Sequence, residues 1–120
     1  MYAQNAAAIY KKNQINTASP KQLIVLLYEG AIKNLRHAEL ALDLKDFSLV
    51  NQKLLKTQDI ILELQVTLNK EEGGQIAENL YELYEYMMND LIQANIKKDK
   101  TKIEANRDIL SGLAEAWTSL

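Results

Sequence analysis

The side chains in this sequence that could carry chemistry are few and scattered. Its single histidine, His37, lies between Arg36 and Ala38 without the serine or cysteine motif that would make it a general base. A di-iron site requires a Glu-x-x-His pair on each of two helices, so one histidine excludes it. The chain has no cysteine, which excludes disulfides, thiolate metal sites and cysteine nucleophiles. These residues indicate a protein that is not an enzyme and uses no metal or cofactor.

The charged residues form two clusters, and neither indicates a reaction. Glu78, Glu82 and Glu85 share one helical stripe, which is typical of a solvated face. Four lysines lie between residues 97 and 102 without interleaved aromatic residues, and the net charge is −2, so nucleic-acid binding is not expected. The longest apolar run, 23–28, is far shorter than the ~18 residues of a membrane span. We therefore expect a soluble, cytoplasmic protein with no membrane insertion.

Helices must position these side chains, because the sequence has very few turn residues. One proline and four glycines in 120 residues make an all-β fold improbable. Ser19, Pro20 and Gln22 have the spacing of a capping box, and apolar residues then recur with the helical period. Short connections make consecutive helices antiparallel. The prediction is an all-α, antiparallel up-down-up-down four-helix bundle over residues 19–120, with helices at about 20–43, 47–68, 75–98 and 100–119.

The first 18 residues differ from the rest because they carry no sustained apolar stripe. We interpret residues 1–18 as a short, mobile N-terminal arm, with Ile9 and Tyr10 as its anchors on the bundle. A helix of one or two turns is marginal in water, so such an arm needs docking to stay ordered. A frayed terminus is the alternative.

Several helices carry more apolar residues than one core requires. A bundle helix needs about three apolar positions in seven. Residues 23–28 are apolar all around the first helix, and residues 60–62 begin a similar stretch in the second. Large exposed apolar patches usually mark interaction sites. The surplus predicts a cover, which could be the arm, a second copy of the chain or a foreign partner.

The chain resembles the flagellin-specific export chaperone family, FliS. The resemblance extends from about Tyr10 to Trp117, and its pieces are specific in their order and spacing. They are Thr17-Ala18-Ser19-Pro20 with Leu23, Leu27-Tyr28-Glu29-Gly30-Ala31-Ile32, Gln58-Asp59-Ile60-Ile61 with Glu63-Leu64, Gly74-Gln75-Ile76-Ala77-Glu78-Asn79-Leu80-Tyr81, and Leu83-Tyr84 with Tyr86-Met87.

The resemblance implies a cytoplasmic chaperone that binds the disordered C-terminal segment of flagellin. Such a chaperone prevents premature polymerisation and aids export through the flagellar type III secretion system. It also implies an N-terminal lid over part of the groove, with Ile9 and Tyr10 as its residues. Recognition would place an amphipathic client helix in a groove. The motif positions that are candidates for this groove are Leu27, Tyr28, Gln58, Ile61, Leu64, Leu68, Leu80 and Tyr84.

The resemblance and the surplus apolar surface each suggest further partners. The flagellar export gate and a regulatory protein are further candidates under the resemblance. The rival hypothesis is a helical-bundle scaffold that self-associates through its surplus apolar face. We expect a monomer or a weak homodimer.

Overall fold

Four α-helices make up the part of the protein that the computed structural model describes, residues 19–120. They are α1 (Pro20–Asp43), α2 (Phe47–Val66), α3 (Lys70–Lys97) and α4 (Lys100–Thr118). No strand occurs between residues 19 and 120. The expected all-α four-helix bundle is confirmed. The predicted arm, with Ile9 and Tyr10, lies outside the described residues.

The helices pack in a ring that follows the chain order. Both α1 and α3 lie beside α2 and α4, so α1 and α3 are diagonal to each other. Contacts at the two ends of the bundle show the relative direction of α1 and α4. Lys21 at the start of α1 donates to the carbonyl of Leu120, and Lys100 at the start of α4 forms an ion pair with Asp43 at the end of α1. Consecutive helices are therefore antiparallel.

Local capping explains where the helices begin. The Ser19 hydroxyl accepts from the Gln22 backbone N–H while the Gln22 side chain accepts from the Ser19 N–H, which is the expected capping box. Asp46, Asn69 and Asp99 accept from backbone N–H groups in the first turns of the other three helices. Each such cap contributes about 1 kcal/mol.

The third helix differs from the sequence prediction at its start. An additional helical turn over residues 70–73 precedes Gly74. Gly74 is non-helical, and the longer part of α3 starts after it, as predicted. Gly74 has φ 53° and ψ −129°, a conformation that side chains disfavour. A Cβ at Gly73 would lie 2.6 Å from that of Ala77, so the bend brings backbone and side chain too close for any other residue. The second helix ends at Val66, with Thr67 as its C-cap, two residues earlier than expected.

The core fills the space between the four helices, and two ionic contacts at its edge join α4 to its neighbours. Arg107 Nε donates to Glu39 Oε2 of α1 at 2.6 Å, and Lys102 Nζ lies 2.8 Å from Asp90 Oδ1 of α3. The largest fully buried side chains are Tyr28, Leu35, Leu54, Ile60, Ile61, Tyr84, Met87, Leu91, Ile103 and Leu110.

Two helical glycines should respond in opposite ways to alanine. Gly74→Ala should lower the free energy of unfolding by about 1–3 kcal/mol, because alanine is strained at a positive φ. Gly112→Ala should raise it by about 0.5–1 kcal/mol, since nothing lies within 4 Å of the added Cβ and the helix gains propensity. Urea unfolding followed by circular dichroism measures both. A Gly74→Ala variant as stable as the parent would contradict the bend.

Candidate functional site

A groove opens at the end of the bundle where α1 and α3 begin and α2 and α4 end. Its volume is about 480 Å³. Most of its lining is apolar, and charged side chains contribute only at Lys21 and Glu72. The lining comprises Pro20, Lys21, Ile24, Leu64, Thr67, Leu68, Asn69, Glu72, Gly73, Ile76, Ala77, Leu80, Tyr84 and Trp117.

The bend in α3 shapes one wall of this groove. Glu72 and Gly73 precede the bend and Ile76 follows it, yet all three line the same space. The Nζ atom of Lys70 lies 3.8 Å from the centroid of the Tyr81 ring, which ties the first turn of α3 to its longer part. Such a cation–π contact contributes about 0.5–1 kcal/mol at an exposed site. The Gly-Gly pair thus lets the first turn of α3 and the longer part after the bend line the same wall.

The floor of the groove contains the buried Tyr84, whose hydroxyl is joined to that of a second buried tyrosine, Tyr28, beneath the floor. Tyr28 of α1 and Tyr84 of α3 share a hydrogen bond across the bundle. Burial raises the pKa of Tyr84, and the neighbouring Tyr28 raises it further. Burial also raises the pKa of Tyr28, while hydrogen bonding to the side chains of Tyr84 and Trp117 opposes that rise. Both phenols are therefore neutral near pH 7, and the floor is polar but uncharged.

Four of the eight predicted groove residues come together in this site. Leu64, Leu68, Leu80 and Tyr84 all line the groove. Leu64 and Tyr84 are almost fully covered and form its floor, whereas Leu68 and Leu80 are half-buried on its walls. The four residues belong to the end of α2, the connection after it and the first half of α3, which the fold brings face to face.

The other four predicted residues lie elsewhere. Leu27, Tyr28 and Ile61 are buried in the hydrophobic core, so they support the groove from beneath rather than line it. Gln58 is half-buried on α2 and lies outside the groove lining. All four are one to two helical turns away from lining residues on the same helix, so a motif in the sequence does not separate them.

The groove also includes residues that sequence reasoning did not assign to it. Ile24, Ile76 and Trp117 contribute much of its apolar surface. The sequence does give a signal for Ile76, since it is an apolar residue shortly after a glycine pair. In the structure it is not part of the core, and 72% of its surface is exposed. Trp117 gives no such signal, because its place beside α1 depends on how the last helix packs.

The chemistry available at this site is binding rather than proton transfer. The groove offers apolar walls, neutral phenols and the charges of Lys21 and Glu72 at its edge. Glu78 and Glu82 are exposed, and Glu85 accepts a hydrogen bond from Gln65 of α2 at 2.8 Å. Within residues 19–120 no three metal-ligating side chains come together. None of the helices described is long and apolar enough to cross a membrane.

Comparison with known proteins gives matches along nearly the whole chain. The family model for "Flagellar protein FliS" matches residues 2–120. The flagellar secretion chaperone FliS of Salmonella typhimurium is 40% identical over 115 residues, which cover 95% of this chain and 85% of that protein. The protein of the same name from Bacillus subtilis is 35% identical over 98% of this chain and 86% of its own length. The flagellar secretion chaperone FliSB of Pseudomonas aeruginosa is 31% identical over 100% of this chain and 98% of its own.

The paired hydroxyls in the groove floor should be energetically coupled. Tyr28→Phe leaves the buried Tyr84 hydroxyl without its partner and should cost about 1–3 kcal/mol of unfolding free energy. Tyr84→Phe should cost less, because the Tyr28 hydroxyl keeps its interaction with Trp117. The double variant removes both polar groups and should cost less than the sum. Urea unfolding of the four proteins measures this coupling. Additive losses would show that the two hydroxyls do not stabilise each other.

Proposed function

This chain belongs to the FliS family of flagellar proteins, and we propose that it is a cytoplasmic chaperone for flagellin. It binds the disordered C-terminal segment of flagellin, prevents premature polymerisation and aids export through the flagellar type III secretion system. The observation that carries this proposal is the apolar groove between the helix ends. Several relatives are named flagellar secretion chaperones, which supports a binding role without catalysis.

The shape and chemistry of the groove suit an amphipathic client helix. An apolar anchor that enters the space between Leu68, Ile76 and Leu80 loses its contact with water and gains contacts on two walls. Burying one such side chain contributes about 1.5–3 kcal/mol. Binding of the client by burial of apolar side chains against the groove lining requires neither a chemical reaction nor a cofactor.

Polar groups at the groove edge would set the register of the client. Lys21 and Glu72 carry opposite charges on α1 and α3, and Asn69 lies beside them. Charges at the rim of an interface influence orientation and association rate more than affinity. We therefore assign affinity to the apolar walls and orientation to the edge.

The predicted site residues divide by their accessibility. Leu68 and Leu80 would touch the client directly, and Leu64 and Tyr84 would meet it at the floor. Leu27, Tyr28 and Ile61 would act indirectly by holding the floor in place. Contact between Gln58 of α2 and the client remains a separate prediction, because Gln58 lies outside the groove lining. An export-gate component and a regulatory protein remain proposed additional partners.

Calorimetric titration with a synthetic flagellin C-terminal peptide tests the proposal. Binding should occur with a dissociation constant on the order of micromolar or tighter, since two or three anchors suffice for that affinity. A client that folds as it binds should also give a negative heat-capacity change. Absence of binding on the order of tens of micromolar would refute the chaperone assignment.

Two isoleucines of α3 provide a matched pair that locates the site in the same titration. Ile76→Ser should weaken peptide binding by about tenfold, as expected for one lost apolar anchor. Ile96→Ser is the control, because Ile96 is 70% exposed against 72% for Ile76 but lies at the other end of the helix. Equal effects of the two substitutions would place the client elsewhere. Sedimentation of both variants shows whether self-association uses either residue.

The proposed N-terminal lid gives a separate prediction. If Ile9 and Tyr10 compete with the client for the groove, deleting residues 1–15 should tighten peptide binding or raise its association rate. Stopped-flow fluorescence of the single tryptophan, Trp117, can follow the rate because Trp117 lines the groove. Ile9→Ser with Tyr10→Ser should reproduce the deletion in the full-length chain. Unchanged affinity and rate would show that the arm does not cover the groove.

A further inference from the structure

A second surface, which we term the basic face, carries five basic side chains on the outside of α1 and α2. Lys33, Arg36 and His37 of α1 line a shallow depression of about 560 Å³, which Ser111 and Ala114 of α4 complete. Lys53 and Lys56 of α2 lie outside this lining, but Lys53 is near enough to Lys33 and Lys56 for their charges to interact. This depression shares no lining residue with the groove at the end of the bundle. The two surfaces are therefore separate.

The lysines of the basic face repel one another, and neither they nor Arg36 form an ion pair with a described residue. The pKa of Lys53 is lowered by burial and then by the positive charges of Lys56 and Lys33. Among residues 19–120, Lys33, Arg36, Lys53 and Lys56 form no ion pair. Glu29 is the only carboxylate in the lining of the depression. The protein as a whole carries a net charge of −2, so this local positive excess is not a consequence of composition.

The lysines between residues 97 and 102 differ from those of the basic face, because several of them have partners within the bundle. Lys100 pairs with Asp43 at 2.9 Å, and Lys102 pairs with Asp90 at 2.8 Å. Lys98 donates to both the backbone and the side-chain oxygen of Asn95. Lys100 and Lys102 thus join α4 to its neighbours and Lys98 bonds within its own helix end, whereas the lysines and the arginine of the basic face form no ion pair with a described residue.

We propose that the basic face is a docking surface for an acidic, amphipathic helical segment of a second protein. Carboxylates of that segment would pair with the free cations. Its apolar ridge would cover Leu40, which is 62% exposed beside Arg36 and His37, and would rest on Ile32 and Ala114. This inference is independent of flagellin binding, because it uses a different surface and different chemistry.

The combination of charge and apolar surface favours a protein over a nucleic acid. Bases are usually held by stacking on aromatic side chains, and the lining of the depression contains no aromatic residue other than His37. A nucleic acid would also meet an overall negative protein. A helix with glutamates on both sides of a leucine ridge satisfies both the cations and the exposed leucine.

The test uses a synthetic acidic helix of about five turns, with leucines spaced as one ridge and glutamates flanking it. Titration against the full chain should show binding that weakens at least about tenfold as sodium chloride rises from about 50 to about 300 mM. A peptide of the same composition with dispersed leucines should bind at least about fivefold more weakly. No binding, or equal binding of the two peptides, would overturn the proposal. So would equally tight binding of a single-stranded oligonucleotide.

A pair of double variants locates the binding. Lys33→Gln with Lys56→Gln should reduce affinity for the acidic peptide at least about tenfold. Lys45→Gln with Lys97→Gln changes the net charge equally at exposed positions of other surfaces and should change affinity less than about twofold. Equal losses in both variants would mean general charge attraction and would refute the assignment. Retained binding of the flagellin peptide by the first variant separates this result from the chaperone proposal.

Discussion

The hydrogen bond between the hydroxyls of Tyr28 and Tyr84 connects the two helices that are diagonal to each other in the bundle. Each phenol is buried, so neither hydroxyl can exchange its partner for water without opening the core. Leaving one of them unpaired costs about 1–3 kcal/mol, and this cost fixes the distance between α1 and α3 at the groove floor. The walls of the groove, formed by the helix ends around this pair, depend on that distance.

The bend at Gly73-Gly74 is the second constraint, and it acts on the same end of the bundle. Because Gly74 adopts a positive φ and is not helical, the chain bends between the first turn of α3 and its longer part. Asn69 caps that turn, and Lys70 contacts the ring of Tyr81. A straight α3 would place its first turn differently relative to Leu64 and Leu68. Backbone geometry thus brings part of the apolar surplus into one groove, while exposed residues such as Leu40 and Leu62 lie outside it.

Much of the architecture was predictable because helix formation depends on residues within about four positions of each other. The capping box at Ser19 was predicted and marks the start of α1, and the predicted start of α2 at residue 47 is where Asp46 caps the helix. The break at the glycine pair and the long helix after it were predicted as well. The helical turn over 70–73, which Asn69 caps, was not predicted, because the glycine pair indicates a break and gives no sign of a turn before it. Half of the candidate groove residues line the groove, three of the others are core residues, and Gln58 is half-buried elsewhere on α2.

The sequence by itself determined the class of the fold, the number of helices and the absence of a thiolate or multi-histidine site, all of which follow from local periodicity and composition. Tertiary structure alone decided which apolar and charged side chains remain accessible. Leu27 and Leu68 are both leucines of family motifs, but only Leu68 lines the groove. Lys100 and Lys33 are both helical lysines, and their local sequences do not distinguish them. Lys100 at the start of α4 pairs with Asp43 at the end of α1, whereas the charge of Lys33 acts on another lysine, Lys53. Accessibility and pairing depend on residues that are distant along the chain, and a local pattern contains no information about which of them the packing brings together.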